Sequence, residues 1–153
     1  MNNKVKYTIL FYVGFTTYIT IETLFRGYSY PLMGLDGAIC FILFDKINEV
    51  LSWDMDLFLQ GCIGSVLVTI SEMLIGLFLQ YLHLPPMWDY SGMWLNFRGI
   101  ICLPFSLLWI VLACIGIILA DCINYYLICN GDRPVYRLFG MFHIDFPQRK
   151  CYH

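Results

Sequence analysis

Glu72 is the residue whose type and position point most directly to chemistry. It lies in a strongly apolar run over residues 57–82 that contains no other charged side chain. An ionised carboxylate in the middle of a membrane-spanning helix costs about 3 kcal/mol on insertion scales, so it should face the bundle interior, be paired, or be protonated. We therefore take Glu72 as the leading candidate for a functional residue. The alternative is a structural carboxylate that holds helices together through Arg26, Arg98 or a loop amide.

Other polar residues are expected to lie at the same membrane face as Glu72. Glu22 and Arg26 are four residues apart near the end of the first apolar run, a spacing that also suits a simple local salt bridge. Hydrogen-bonding side chains also crowd the segment over residues 88–98, for which the alternative is an aromatic belt with a turn. The predicted binding pocket comprises Glu22, Arg26, Glu72, Trp88, Asp89, Tyr90, Ser91, Asn96 and Arg98.

The composition requires a membrane to position these residues. The chain is 59% hydrophobic and only 13% charged, and its mean hydropathy is +0.68. A water-soluble fold of this size could not cover so much apolar surface. Because a helix of about 20 apolar residues crosses the hydrocarbon layer, the apolar runs predict an all-α, four-helix transmembrane bundle. Its helices are expected over residues 7–24, 35–51, 57–82 and 100–128.

The second and fourth helices are less regular than the other two. The second contains Asp36, Asp45 and Lys46, which suggests a short, tilted or partly re-entrant segment. We expect Asp36 to be solvated or to cap a helix, and Asp45 and Lys46 to reach the surface by snorkelling. The fourth run is long enough to tilt or to emerge from the membrane near Asp121, where we expect a helix to end.

The distribution of cations predicts the orientation. Positive residues are retained on the cytoplasmic side of a membrane, and an even number of helices places both termini on one side. We therefore expect a multi-pass protein of the cell (inner) membrane with a transmembrane domain over residues 1–128, a basic cytoplasmic tail over 129–153 and both termini cytoplasmic. The terminal segments carry Lys4, Lys6, Arg133, Arg137, Arg149 and Lys150, whereas the opposite side has Arg26 and Arg98.

Several chemistries find no support in the sequence. The seven cysteines include no closely spaced pair of the kind that binds zinc, and most lie in apolar stretches, where they should pack as small side chains. No P-loop, nucleophile elbow or glycine-rich phosphate loop is present. We expect no metal, no cofactor and no nucleic-acid partner, and an enzymatic activity is less favoured than its absence.

The sequence resembles the ABC-transporter type IV family of small bacterial multi-pass membrane proteins. The resemblance covers residues 21–126 and depends most on Trp88-Asp89-Tyr90-Ser91 and the segment over residues 101–109. Further matches are the segment over residues 22–29, Cys40-Phe41, Ile47-Asn48-Glu49, Glu72 with Gly76, Asn96 and Gly99. The resemblance implies transport, and because the chain has no nucleotide-binding motif, any ATPase would be a separate subunit.

Three hypotheses follow. The first is a transport or permease-like component with a polar pocket in the outer half of the bundle. Four helices enclose little space, so such a component is expected to act as a homo-oligomer or beside separate transporter subunits, in contact with membrane lipid. The second is a membrane enzyme acting on a lipid or lipid-linked head group, with Glu72 or Asp89 as general base and Arg26 or Arg98 holding an anion. The third is a regulatory or pore-forming membrane protein.

Overall fold

Four long helices dominate the computed structural model, which describes residues 3–149. They are α1 (Asn3–Arg26), α2 (Pro31–Val50), α3 (Leu57–Tyr81) and α4 (Leu103–Cys122), and α4 continues as a π-helical turn over Ile123–Leu127. Helices α2 and α4 each have a proline in the first turn, where its missing N–H leaves no hydrogen bond unmade. Helix α4 ends at Cys122, one residue after the end expected at Asp121, and the chain then continues as the π-helical turn.

Three of these helices are long and apolar enough to cross a membrane: α1, α3 and α4 together with its π-helical turn. The chain is therefore a membrane protein, and the predicted four-helix transmembrane bundle is confirmed. Helix α2, about 30 Å long at 1.5 Å per residue, differs from the others because it carries many polar residues.

The polar residues of α2 are covered by its neighbours, because α2 packs against all three other long helices. Asp36 and Asp45 are both buried, so the expectations that Asp36 is solvated and that Asp45 snorkels to the surface are wrong. Asp36 makes hydrogen-bonding contacts with Ser71 and Cys40, and Asp45 contacts Lys6 and Asn124. Helix α2 is thus the polar centre of the bundle rather than a surface segment.

Two close approaches fix the position of α2. A Cβ atom on Gly14 of α1 would lie 2.6 Å from the Cβ atom of Phe41. Helices α1 and α2 can therefore approach this closely only because Gly14 has no side chain. On the other side of α2, the ring of Phe44 packs against Gly64 of α3 and Gly116 of α4. Small residues of this kind let membrane helices approach closely.

Two small antiparallel sheets complete the fold. Strands β1 (Asn96–Phe97) and β2 (Ile101–Cys102) pair within the connection between α3 and α4, and β3 (Val135–Leu138) pairs with β4 (Phe142–Asp145) after the last helix. We call the end with residues 27–30 and 82–102 the loop end, and the end with residues 51–56 and 128–149 the terminal end.

The segment predicted as a basic tail folds back onto the bundle. Tyr136 of β3 is buried, packs on Trp53 and donates a 2.6 Å hydrogen bond to Asp121 of α4. Asp56, the N-cap of α3, accepts hydrogen bonds from the N–H groups of Phe58 and Gly140. The β3–β4 hairpin therefore closes the terminal end. Lys150, counted among the tail cations, lies outside the described residues.

Candidate functional site

Glu72 is buried in the bundle at 2% exposure and accepts hydrogen bonds from neutral donors. The indole Nε1 of Trp109 on α4 donates to Oε2 over 3.2 Å. The hydroxyl of Tyr90, from the connection between α3 and α4, lies 3.4 Å from Oε1 and makes the weaker contact. Among the described residues Glu72 forms no salt bridge, so neither Arg26 nor Arg98 pairs with it.

Tyr90 is held in position as a donor. Its ring stacks on Phe105 of α4 with the ring centroids 4.7 Å apart, and its backbone N–H donates to the carbonyl of Gly99 over 2.9 Å. Burial, reinforced by the charge of Glu72, raises the pKa of the Tyr90 hydroxyl. The hydroxyl therefore stays protonated and donates to the carboxylate, and its oxygen can still accept a hydrogen bond from a ligand beside it.

Asp36 of α2 is a second buried carboxylate of the loop half. The hydroxyl of Ser71 donates to its Oδ2 over 3.3 Å, and the thiol of Cys40 lies 3.9 Å from Oδ1. Within residues 3–149 no Lys, Arg or His forms a salt bridge with it. Asp36 of α2 and Glu72 of α3 are thus buried carboxylates whose hydrogen-bond donors are all neutral.

Arg26, by contrast, is engaged close to its own helix. Its Nη2 lies 3.0 Å from Oε2 of Glu22, which also accepts a 2.6 Å hydrogen bond from the hydroxyl of Ser29. Its Nη1 donates to the backbone carbonyl of Met87 over 2.8 Å, and its guanidinium stacks over the ring of Tyr28. The local salt bridge considered from the sequence is present, and the hydrogen bond from Arg26 to Met87 ties α1 to the connection between α3 and α4.

Three of the predicted pocket residues shape that connection. Asp89 accepts a 2.8 Å hydrogen bond from the N–H of Ser91, which holds the pKa of Asp89 below its usual range. Asn96 donates to the carbonyls of Ser91 and Met93 and accepts from the N–H of Gly99. Asp89, Ser91 and Asn96 are exposed, and the hydrogen bonds described here are internal to the loop.

Trp88 and Arg98 lie beside a separate small cavity. The indole of Trp88 donates to the carbonyl of Ile100 over 2.7 Å. Trp88, Asp89 and Arg98 line a cavity of about 250 Å³ together with the end of α3. This cavity is distinct from the space around Asp36.

A groove of about 230 Å³ lies between α1 and α4, with α2 as its floor. Its loop end is polar, and farther along the walls are apolar and include exposed side chains of α1 and α4. Because α1 and α4 make little direct contact, the groove is open at the side of the bundle. The polar lining residues are Thr17, Tyr18, Glu22, Asp36, Tyr90 and Trp109; the exposed apolar ones include Ile21, Phe25, Leu108, Ile115 and Leu119.

All nine predicted residues lie at or near the loop end. Glu22 and Tyr90 line the groove, Arg26 pairs with Glu22, and Glu72 accepts from Tyr90. Glu72 itself lies behind Tyr90 and Trp109, which separate it from the groove. The remaining five shape the connection or the cavity beside Trp88. The binding role of the whole set stays a prediction.

The predicted pocket left out most residues of the groove, among them Tyr18, Asp36 and Trp109. Tyr18 and Trp109 stack on each other with the ring centroids 6.2 Å apart, but each is an aromatic residue in an apolar run. Of these three residues, Asp36 was the easiest to recognise from the sequence as a candidate for the site. It is a carboxylate followed by Cys40 four residues later, and therefore on the same helix face.

The fold and the groove define a helical membrane protein with buried acidic groups near one end. The model of the family described as "Putative ABC-transporter type IV" matches residues 7–144, and the chain belongs to this family. The match is wider than the resemblance noted from the sequence and includes the β3–β4 hairpin up to residue 144. No curated protein and no solved structure matches the chain.

Proposed function

We propose that the chain is the membrane-embedded binding component of a transporter, and that its groove receives an amphipathic molecule with a cationic or hydrogen-bond-donating head group. The observation that carries the proposal is the composition of the groove. One end holds carboxylates and hydroxyls, and the rest is an apolar wall open to the lipid. A molecule with one polar end and one apolar end matches both parts.

The charge of the head group follows from the pairing of the acidic residues. Arg26 neutralises Glu22, which leaves Asp36 and Glu72 with neutral donors. A buried carboxylate without a cationic partner is unfavourable in a membrane. A cationic or donor-rich head group beside Asp36 would supply the missing charge or hydrogen bonds, whereas an anionic head group would add repulsion.

Membership of the family supports a role in transport, and the shape of the groove suggests that this chain does not transport alone. The groove lies on one side of a four-helix bundle rather than in a sealed passage, so we propose that the chain works as a homo-oligomer or beside other transporter subunits, one of which would supply ATPase activity. The cations Lys4, Lys6, Lys46, Arg137 and Arg149 lie at the terminal half of the bundle, which favours an inner-membrane orientation with both termini cytoplasmic.

The test uses Trp109 as a reporter, because its indole lines the groove. The purified chain in nanodiscs is titrated with a brominated alkyl-trimethylammonium and with a brominated alkyl sulfate of the same chain length, and quenching of the Trp109 emission is followed. A Trp109→Phe variant identifies the part of the signal that belongs to Trp109. We expect the ammonium compound to bind about tenfold more tightly, equivalent to about 1.4 kcal/mol.

Asp36→Asn and Glu72→Gln should each reduce this preference, with Asp36→Asn the larger effect because Asp36 lines the groove directly. Asp54→Asn is the matched control, since Asp54 is exposed at the opposite end of the bundle. Equal quenching by the two amphiphiles, or an unchanged preference in both variants, would refute the proposal. A folded Glu72→Gln variant that has lost binding would exclude a purely structural role for that residue.

A membrane enzyme acting on a lipid head group is the second candidate, and the sideways opening of the groove favours it. A head group entering there would meet Tyr90 and Asp36 without crossing the membrane. Vesicles containing the chain distinguish the two: mass spectrometry of the lipids detects chemical conversion, and a leaflet-specific label detects movement. Conversion without movement would select the enzyme.

A further inference from the structure

A second polar cavity, of about 230 Å³, lies at the terminal end of the bundle and has no role in the proposed function. Helices α1, α2 and α4 and the residues after the π-helical turn surround it. Its lining contains Lys6, Asp45, Asn48, Asp121 and Asn124, all of which are buried. So many buried polar groups around one cavity require an explanation beyond packing.

The charges of this cavity do not balance. Lys6 forms salt bridges with both Asp45 and Glu49, and Lys46 pairs with Glu49. Asp121 remains: it accepts hydrogen bonds of 2.6 Å from Asn48 and from Tyr136, but over residues 3–149 it has no salt bridge. Asp45, Glu49 and Asp121 therefore share two ammonium groups, and one negative charge is left in a buried setting. The fourth carboxylate of the lining, Asp132, is exposed.

Two amide oxygens in the cavity also lack partners. Asn48 donates its NH2 group to Asp121, and Asn124 donates its own to Asp45. Because a carboxylate only accepts, each amide must turn its carbonyl oxygen elsewhere. Both asparagines are 7% exposed, and in the part of the chain that the structure describes neither Oδ1 has a hydrogen-bond partner. The cavity thus offers buried, unused acceptors beside an unbalanced negative charge.

We propose that this cavity binds a monovalent inorganic cation such as Na⁺ or K⁺. Carboxylate and amide oxygens are the ligands that such hard cations prefer, and a single positive charge would balance Asp121. A divalent or transition metal fits less well, because such ions prefer several carboxylate, thiolate or imidazole ligands, and within residues 3–149 no three His, Cys, Asp or Glu side chains are placed to share one ion. The cavity has room for water molecules to complete the coordination.

Trp53 lines the same cavity and provides a local reporter. The purified full chain is held at constant ionic strength while choline chloride is replaced by NaCl or KCl, and both the Tm and the Trp53 emission are followed. A Trp53→Phe variant identifies the Trp53 component. At a cation concentration about tenfold above Kd we expect the Tm to rise by about 3–5 °C relative to choline, with the change in emission saturating at the same concentration.

Asp121→Asn should abolish the cation-specific rise while keeping an acceptor for Asn48 and Tyr136. Asp54→Asn, which changes an exposed carboxylate at the same end, should retain it. The proposal is overturned if alkali cations and choline have the same effect on the wild-type protein, a comparison that does not require any variant to fold. It is equally overturned if a folded Asp121→Asn variant keeps the full response.

Discussion

Replacing Lys6 with methionine tests whether the terminal end is held together by a buried ion pair. Lys6 is 5% exposed although it lies near the start of α1. Its Nζ lies 2.9 Å from Oδ2 of Asp45, which is 1% exposed, and it also pairs with Glu49. Methionine keeps the length and most of the packing of lysine, so the substitution removes mainly the charge.

The expected loss follows from what is left behind. Asp45 would keep one neutral donor, Asn124, and no cation among the described residues. Removing one partner of a buried ion pair costs about 3–5 kcal/mol, and the surviving hydrogen bond favours the lower value. A loss of about 3 kcal/mol corresponds to a decrease in Tm of about 6–12 °C for a chain of this size.

Lys46→Met is the matched control, because the side chains of Lys46 and Glu49 are 39% and 42% exposed. A surface pair of this kind contributes about 1 kcal/mol or less. Thermal unfolding in detergent compares the two variants, and a Lys6→Met/Asp45→Asn double variant should recover part of the loss because the unpaired charge is gone. If Lys6→Met is no more destabilising than Lys46→Met, the buried pair does not contribute as argued.

Two further predictions concern the packing and the cap of α3. Gly14→Ala should destabilise the fold by about 1–3 kcal/mol, because the new Cβ would lie 2.6 Å from that of Phe41, whereas Gly92→Ala meets nothing within 4 Å and should be nearly neutral in the same unfolding assay. Partial burial works to raise the pKa of Asp56, but hydrogen bonds from N–H groups including that of Gly140 outweigh it and hold the pKa below its usual value. Its ionised form therefore stabilises the fold above the unfolded pKa of about 3.9, and this stabilisation is lost as the pH falls through the lower folded pKa. A pH series of Tm values should show a smaller acid loss in Asp56→Asn than in the wild type.

The sequence predicted the helices well because hydrophobicity acts locally. An apolar run such as residues 57–82 needs no knowledge of the rest of the chain to be recognised as a span, and α3 occupies Leu57–Tyr81. The burial of α2 was not predictable in this way. Asp45 is buried because Lys6 and Asn124 reach it from two other helices, and those contacts join residues far apart in the sequence.

The β3–β4 hairpin was missed for a similar reason. Its strands are four residues each, too short to give a clear alternating pattern, and their stability depends on Tyr136 reaching Asp121 and Trp53. At the loop end the same limit applied to Trp109. Its donation to Glu72 is a tertiary contact that composition and spacing do not reveal. Glu72 could be predicted as a candidate because the free-energy cost of a carboxylate in an apolar helix depends on the local sequence alone. Its hydrogen-bond partners could not be predicted.

Phe44 separates the groove from the cavity at the terminal end, and this separation bears on the choice between transport and lipid chemistry. Phe44 lines the groove and packs against Gly64 and Gly116, while the next residue, Asp45, lines the cavity at the terminal end. A solute moving from one cavity to the other would have to displace Phe44, and α2 would have to shift relative to α3 and α4 because a close-packed interior yields little. A lipid-modifying enzyme needs no such movement. Restricting α2 by a cross-link to α3 should therefore stop transport and leave head-group chemistry intact.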